Sequence, residues 1–135
     1  MVALLLIAAC ASSAPIIRVR SDRSQYAWGD RVFVTVTNGT RDTVLNDRCG
    51  GEVQDTRDGR TWKANFGREC DDFGRGWRAR AQIIPPGASR VDTLTAMPAD
   101  TGVGRVKLLL RDTQGRVLTD TLRESNTFKV GGRTR

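Results

Sequence analysis

From Asp30 to Asn38 the chain alternates. Val32, Val34 and Val36 fall on one parity, and Phe33, Thr35 and Thr37 on the other. A period of two marks a half-buried strand. Similar short runs recur. Ile16–Val19 predicts a first strand and Thr43–Leu45 a third, with Asn38-Gly39 between them as a type I′ turn. Glu52–Asp55 and Thr61–Ala64 flank Asp58-Gly59, a hairpin signal. Trp77–Ile84 predicts a strand broken by Pro85-Pro86-Gly87, since proline cannot donate to a ladder. In Ser89–Ala96 the parity changes between Val91 and Leu94, which predicts a bulge or bend. Val103–Leu110 is the most apolar run and should be central. Arg116–Leu122 and Asn126–Val130 supply the last two strands. No stretch holds a period of 3.6 over three turns. Seven to nine short strands with turn signals every 8–12 residues predict an all-β, immunoglobulin-like antiparallel β-sandwich.

Composition agrees. A chain of 135 residues with 39% hydrophobic and 27% charged positions is globular, and it is long enough for one domain. There are 22 basic and 15 acidic residues, a net charge of +7. Both signs are scattered along the chain, which describes a solvated mixed surface with an overall pull on anions. The chain contains no histidine. Ser-His-Asp and Cys-His catalysis, histidine metal sites and histidine acid–base chemistry are therefore excluded.

The first residues change the picture. Val2–Ala9 is an apolar run, too short for a membrane-spanning helix but suited to the core of a signal peptide. Ile7-Ala8-Ala9-Cys10 resembles the lipobox of bacterial lipoproteins. That resemblance implies cleavage before Cys10 and lipidation of its thiol. The implied layout is a signal peptide over 1–9, a tether over 10–15, the sandwich over 16–130 and a disordered tail over 131–135. A freely secreted protein and a cytoplasmic domain are the alternatives, because no Lys or Arg precedes the apolar run.

Two cysteines then remain. An even pair in an exported domain reads as a Cys49–Cys70 disulfide, the alternative being two separate thiols. The pair has no CxxC spacing for redox work and no histidine to complete a zinc site. Glu69, Asp71 and Asp72 cluster beside Cys70 but lack the EF-hand spacing. They read as a solvated loop paired with Arg68 and Arg75. Arg75, Arg78 and Arg80 around Trp77 form a candidate anion-binding group; on a strand, Arg78 and Arg80 would face water and Trp77 the core. Trp28 and Trp62 are expected in the core or at its edge, and Tyr26 as a satisfied structural tyrosine. No serine has a basic partner to activate it, and no glycine-rich phosphate loop is present.

The order of landmarks carries a further resemblance. A Val-Thr-Val-Thr-Asn strand (34–38) is followed by Asp58-Gly59-Arg60-Thr61-Trp62 and by a Pro86-Gly87 turn. Gly102 then opens a long hairpin ending Ser125-Asn126-Thr127-Phe128-Lys129-Val130. This series, over residues 17–130, resembles the bacterial BsuPI-like domains, named after an intracellular proteinase inhibitor, and lipoproteins with the same sandwich. The resemblance implies the immunoglobulin-like fold. The export signal and the cysteine pair do not suit an intracellular inhibitor. The expectation is a non-catalytic, lipid-anchored monomer of the cell envelope without cofactor, metal or nucleic acid, serving a protein or glycan partner. The alternative is a proteinase inhibitor acting through a loop.

Overall fold

The computed structural model describes residues 16–67, 76–96 and 102–131. Two sheets face each other. The first is three antiparallel strands in the order β1-β3-β7, from β1 (Ile17–Ser21), β3 (Arg31–Asn38) and β7 (Ser89–Thr95). The second has the order β2-β9-β8-β4-β5, with β6 also on β4. Its strands are β2 (Gln25–Tyr26), β4 (Val44–Thr56), β5 (Lys63–Gly67), β6 (Gln82–Ile84), β8 (Gly102–Arg111) and β9 (Phe128–Val130). In immunoglobulin lettering these are an A-B-E sheet and an A′-G-F-C-C′ sheet, so the domain is an immunoglobulin-like all-β sandwich. One pair, β2 with β9, is parallel.

The alternating runs supply the core. Val32, Val34 and Val36 of β3 meet Val53 of β4 and Val106, Leu108 and Leu110 of β8 between the sheets, all fully buried. Branched and γ-branched side chains fit such a pleated interior. At one end Tyr26 packs edge-on against Phe128, with ring centroids 4.9 Å apart. The Phe128 ring lies where a side chain at Gly104 would project, its Cε2 only 2.7 Å from an added Cβ.

Several expectations are corrected. Asn38-Gly39 does not close a hairpin: β3 and β4 lie in different sheets, and the segment crosses between them. The predicted runs Thr43–Leu45 and Glu52–Asp55 fall on one thirteen-residue strand that starts at Val44, irregular between Asp47 and Glu52, where Gly50-Gly51 let it bend. β7 runs in unbroken register with β3, without a bulge. Its inward positions include Asp92, which is buried. Trp77–Arg80 is a single helical turn, α1, and only Gln82–Ile84 of the predicted strand pairs in a sheet. Arg116–Leu122 is also not a strand. The chain returns beside β8 through single bridges at Val117 and Glu124, separated by a second turn, α2 (Asp120–Arg123). The Asp58-Gly59 hairpin stands between β4 and β5, and the Pro85-Pro86-Gly87 turn carries the chain from β6 to β7.

Candidate functional site

The predicted anion-binding group is reorganised by α1. Gly76, at φ 74°, turns the chain into this one turn of helix, and Ala81 leaves it extended. In a helical turn Trp77 and Arg80 share a side, unlike on a strand. The turn lies on the outer face of the second sheet. There the Trp77 ring has the Arg78 guanidinium at 4.7 Å and the Arg111 guanidinium at 4.8 Å. Arg78 Nη1 donates to the Thr113 carbonyl at 3.1 Å. Arg80 Nε donates to Asp47 Oδ1 at 3.3 Å, and Arg111 Nη2 stands 3.6 Å from the other oxygen. Asp47 is almost wholly buried, so Arg80 is the counter-ion of an internal carboxylate. Arg78 is held by a carbonyl and a ring. Arg75, Cys10, Cys70 and the Glu69, Asp71 and Asp72 cluster lie outside the described residues. Cys49, on the irregular part of β4, is not a free thiol.

A second polar group lies between the sheets. Asp92 of β7 accepts from Asn46 Nδ2 at 2.9 Å and faces Arg48 Nε at 3.6 Å. Its side chain is fully buried, while Arg48 reaches it from solvent. Further along the second sheet, Arg105 stacks on Trp62 at 4.0 Å, donates to Gln54 and pairs with Glu124 at 3.2 Å. Lys107 pairs with Asp120 at 3.3 Å. Hydrogen bonds from Arg123 and Lys107 hold the Asp120 carboxyl below its ordinary range. The tryptophans Trp28, Trp62 and Trp77 are all half-buried, outside the core. Tyr26 is the satisfied structural tyrosine expected. Its hydroxyl donates to Asp22 Oδ1 at 2.5 Å and accepts from the Arg23 N–H. Burial, then the Asp22 bond, pushes its phenol up from 10.0.

The loops carry the exposed chemistry. Beside the β4–β5 hairpin a cleft of about 290 Å³ is lined by Asp55, Thr56, Arg57, Asp58, Thr61 and Lys63. The Asp58 carboxylate accepts from the backbone N–H groups of Thr61 (2.7 Å) and Arg60 (2.8 Å), which lowers its pKa to about 2. At another loop cluster, Asp112 accepts from the N–H groups of Gln114 and Arg116 and pairs with the Arg116 guanidinium at 2.9 Å. Desolvation opposes ionisation there, but these bonds keep its carboxyl below 3.8. Among the described residues no three metal-ligating side chains converge, and no helix is long and apolar enough to cross a membrane.

The outer face of the first sheet is a feature the sequence reading missed. Its outward positions are Arg18 and Arg20 on β1, Arg31, Phe33, Thr35 and Thr37 on β3, and Ser89, Val91, Thr93 and Thr95 on β7. Phe33 is 42% exposed and Val91 52%. The signal was available: Arg18 and Arg20 alternate with the buried Ile17 and Val19, and Arg31 shares the parity of Phe33.

No family model and no curated protein sequence matches the chain. Among the solved structures similar at low identity are the following three. A CARDB domain from Pyrococcus furiosus, solved with two metal ions, is 13% identical with a TM-score of 0.40, over 86% of each chain. The sporulation control protein Spo0M of Bacillus subtilis is 14% identical with a TM-score of 0.38, over 90% of this chain and 51% of that one. A PapD-like domain of human CEP192 is 7% identical with a TM-score of 0.34, over 96% and 94%. Likeness at this level bears on neither partner nor chemistry.

Proposed function

We propose that this protein is a non-catalytic, lipid-anchored module of the cell envelope that binds a protein or glycan partner. In this reading Cys10 carries the lipid, and Cys49 is bridged to Cys70. The observation that supports it best is the internal use of the buried carboxylates. Asp47 is closed by Arg80 and Arg111, and Asp92 by Arg48 and Asn46. They brace the sandwich, and the chemistry left exposed sits on loops and sheet faces, where a binding domain meets its partner. Crosslinking and co-purification from native membranes, with a tag after Arg135, tests this. One envelope assembly protein or glycan in the eluate is the expected result. Turnover of a substrate that a single Asp/Glu→Ala change abolishes without unfolding would refute it. Cys10→Ser should release the protein from the membrane fraction, and unchanged fractionation would remove the anchor.

A second reading, proteinase inhibition through an inserted loop, is favoured by the Pro85-Pro86-Gly87 turn. The Gly87 N–H donates to the Asn38 carbonyl at 2.7 Å, and the Ala88 N–H to that of Pro85 at 3.0 Å. A pre-ordered exposed loop binds with little loss of entropy. Stoichiometric inhibition of an envelope protease, lost when this turn is replaced, is its signature.

A further inference from the structure

The outer face of the first sheet differs in its ion pairing from the face that β8 presents on the second sheet. On the second sheet, Arg105, Lys107 and Arg111 each have a carboxylate within ion-pair distance. On the first, Arg18, Arg20 and Arg31 have none among the described residues, and no Asp or Glu occupies an outward position of β1, β3 or β7. Exposed apolar side chains lie among the arginines: Phe33 and Val91 on the face, and Ile16 where β1 begins. Unpaired cations around exposed apolar groups suit a surface that is anionic outside and apolar just beneath, which is the interface of a lipid bilayer.

The connection to the anchor gives the orientation. The strand nearest in sequence to Cys10 is β1, and it belongs to this sheet. Six residue steps separate Cys10 from Ile16, so the chain reaches at most about 21 Å between them. A lipid at Cys10 holds the start of β1 within that distance of the membrane.

We infer that the outer face of the β1-β3-β7 sheet docks on an anionic lipid surface, with Arg18, Arg20 and Arg31 meeting headgroups and Phe33 and Val91 entering the interface. The orientation argument rests on the lipid anchor proposed above; the charge argument does not. Each arginine near an anionic surface strengthens association by roughly five-fold, and three together by roughly a hundred-fold at low salt. The docked face leaves the hairpin and turn loops clear for a partner.

The test uses the full chain purified from membranes and reconstituted into phosphatidylcholine vesicles with or without phosphatidylglycerol. Arginines are modified with phenylglyoxal and read by mass spectrometry. Arg18, Arg20 and Arg31 should be protected several-fold only when phosphatidylglycerol is present, and the protection should fall as salt rises. Arg41 and Arg60, on loops, should react alike in both. The triple variant R18E/R20E/R31E should lose the lipid-dependent hydrogen-exchange protection of the Phe33 and Val91 segments. Equal modification in both vesicles overturns the proposal. So does protection by DNA or heparin but not by the anionic vesicles, which would assign the face to another polyanion. The mass of the N-terminal peptide reports acylation separately, so failure of the anchor and failure of the docking face are distinguishable.

Discussion

Asn38 offers a quantitative test of how the two sheets are joined. It is fully buried at the end of β3, where the chain crosses to β4, and the β6–β7 turn passes over it. Its Nδ2 donates to the Ile84 carbonyl at 2.9 Å and the Asp42 carbonyl at 2.7 Å. Its Oδ1 accepts from the Thr40 N–H at 3.0 Å and the Thr40 hydroxyl at 2.6 Å. Asn38→Ala removes all four bonds. Thr40 can turn to water, so those two losses are small. The bond to the Ile84 carbonyl is buried and the bond to the Asp42 carbonyl part-buried, and losing bonds in such places costs about 1–3 kcal/mol each. The expected sum is about 3–4 kcal/mol, a fall in melting temperature of roughly 12–16 °C for a domain of this size. Thermal and urea unfolding followed by circular dichroism would measure it. Asn38→Asp is the sharper comparison. It keeps the shape and the acceptor for Thr40 but turns an oxygen toward two carbonyls. It should be as damaging as Ala at neutral pH. Its carboxyl is pushed up in the folded state, so the folded protein binds the extra proton and stability returns as pH falls. A loss below about 1 kcal/mol for either variant at neutral pH would refute the reasoning.

Other outcomes are expected. Reduction of the proposed Cys49–Cys70 bridge, which closes a loop of about 20 residues, should cost roughly 3 kcal/mol; a melting curve unchanged after verified reduction would remove the bridge. Asp58 is ionised down to about 2 in the folded hairpin, against 3.8 ordinarily. Its contribution is therefore present above 3.8 and lost as pH falls through that value toward 2. The stability difference between the native protein and Asp58→Asn should shrink across this window in acid titrations, and a constant difference would contradict the turn geometry. Asp47→Asn leaves Arg80 and Arg111 facing an uncharged group on the second sheet. Because both arginines are partly solvated, the loss should be about 2 kcal/mol, short of the figure for a fully buried pair. Denaturant titration giving a neutral effect would mean that the pairs contribute nothing.

The two-sheet plan was legible because its strongest strands state their own burial. Val32, Val34 and Val36 on β3, and Val106, Leu108 and Leu110 on β8, alternate with polar or outward residues in the sequence as they do in space. Local pattern misled where long-range contact decides. Trp77-Arg78-Ala79-Arg80 alternates like a strand, yet Arg80 is drawn to Asp47 and Trp77 to Arg111, both on sheet strands distant in sequence, and one helical turn satisfies both. Thr43–Leu45 and Glu52–Asp55 read as separate runs, but β4 continues between them because β8 resumes pairing at Glu52. Trp77 was expected in the core, but valines and leucines fill it, and Trp62 and Trp77 are half-buried platforms for arginines. The burial of Asp92 depends on partners, Asn46 and Arg48, that belong to the opposite sheet and lie over 40 positions away. The arginine face was readable only once β1, β3 and β7 were known to lie side by side.

The parallel pairing of β2 with β9 has a consequence for how the protein is made. Ser21 receives a side-chain bond from Asn126, 105 positions away, and Tyr26 is in register with Val130. The early strand β2 thus waits for β9 before its sheet can close, whereas β1 needs only β3. Folds dominated by such distant pairings assemble in milliseconds to seconds rather than microseconds. Until β9 is available, β2 has no sheet to join and the sandwich is incomplete. The second sheet therefore closes only when the two ends of the domain are both free to meet, and a domain held open at either end lacks that closure.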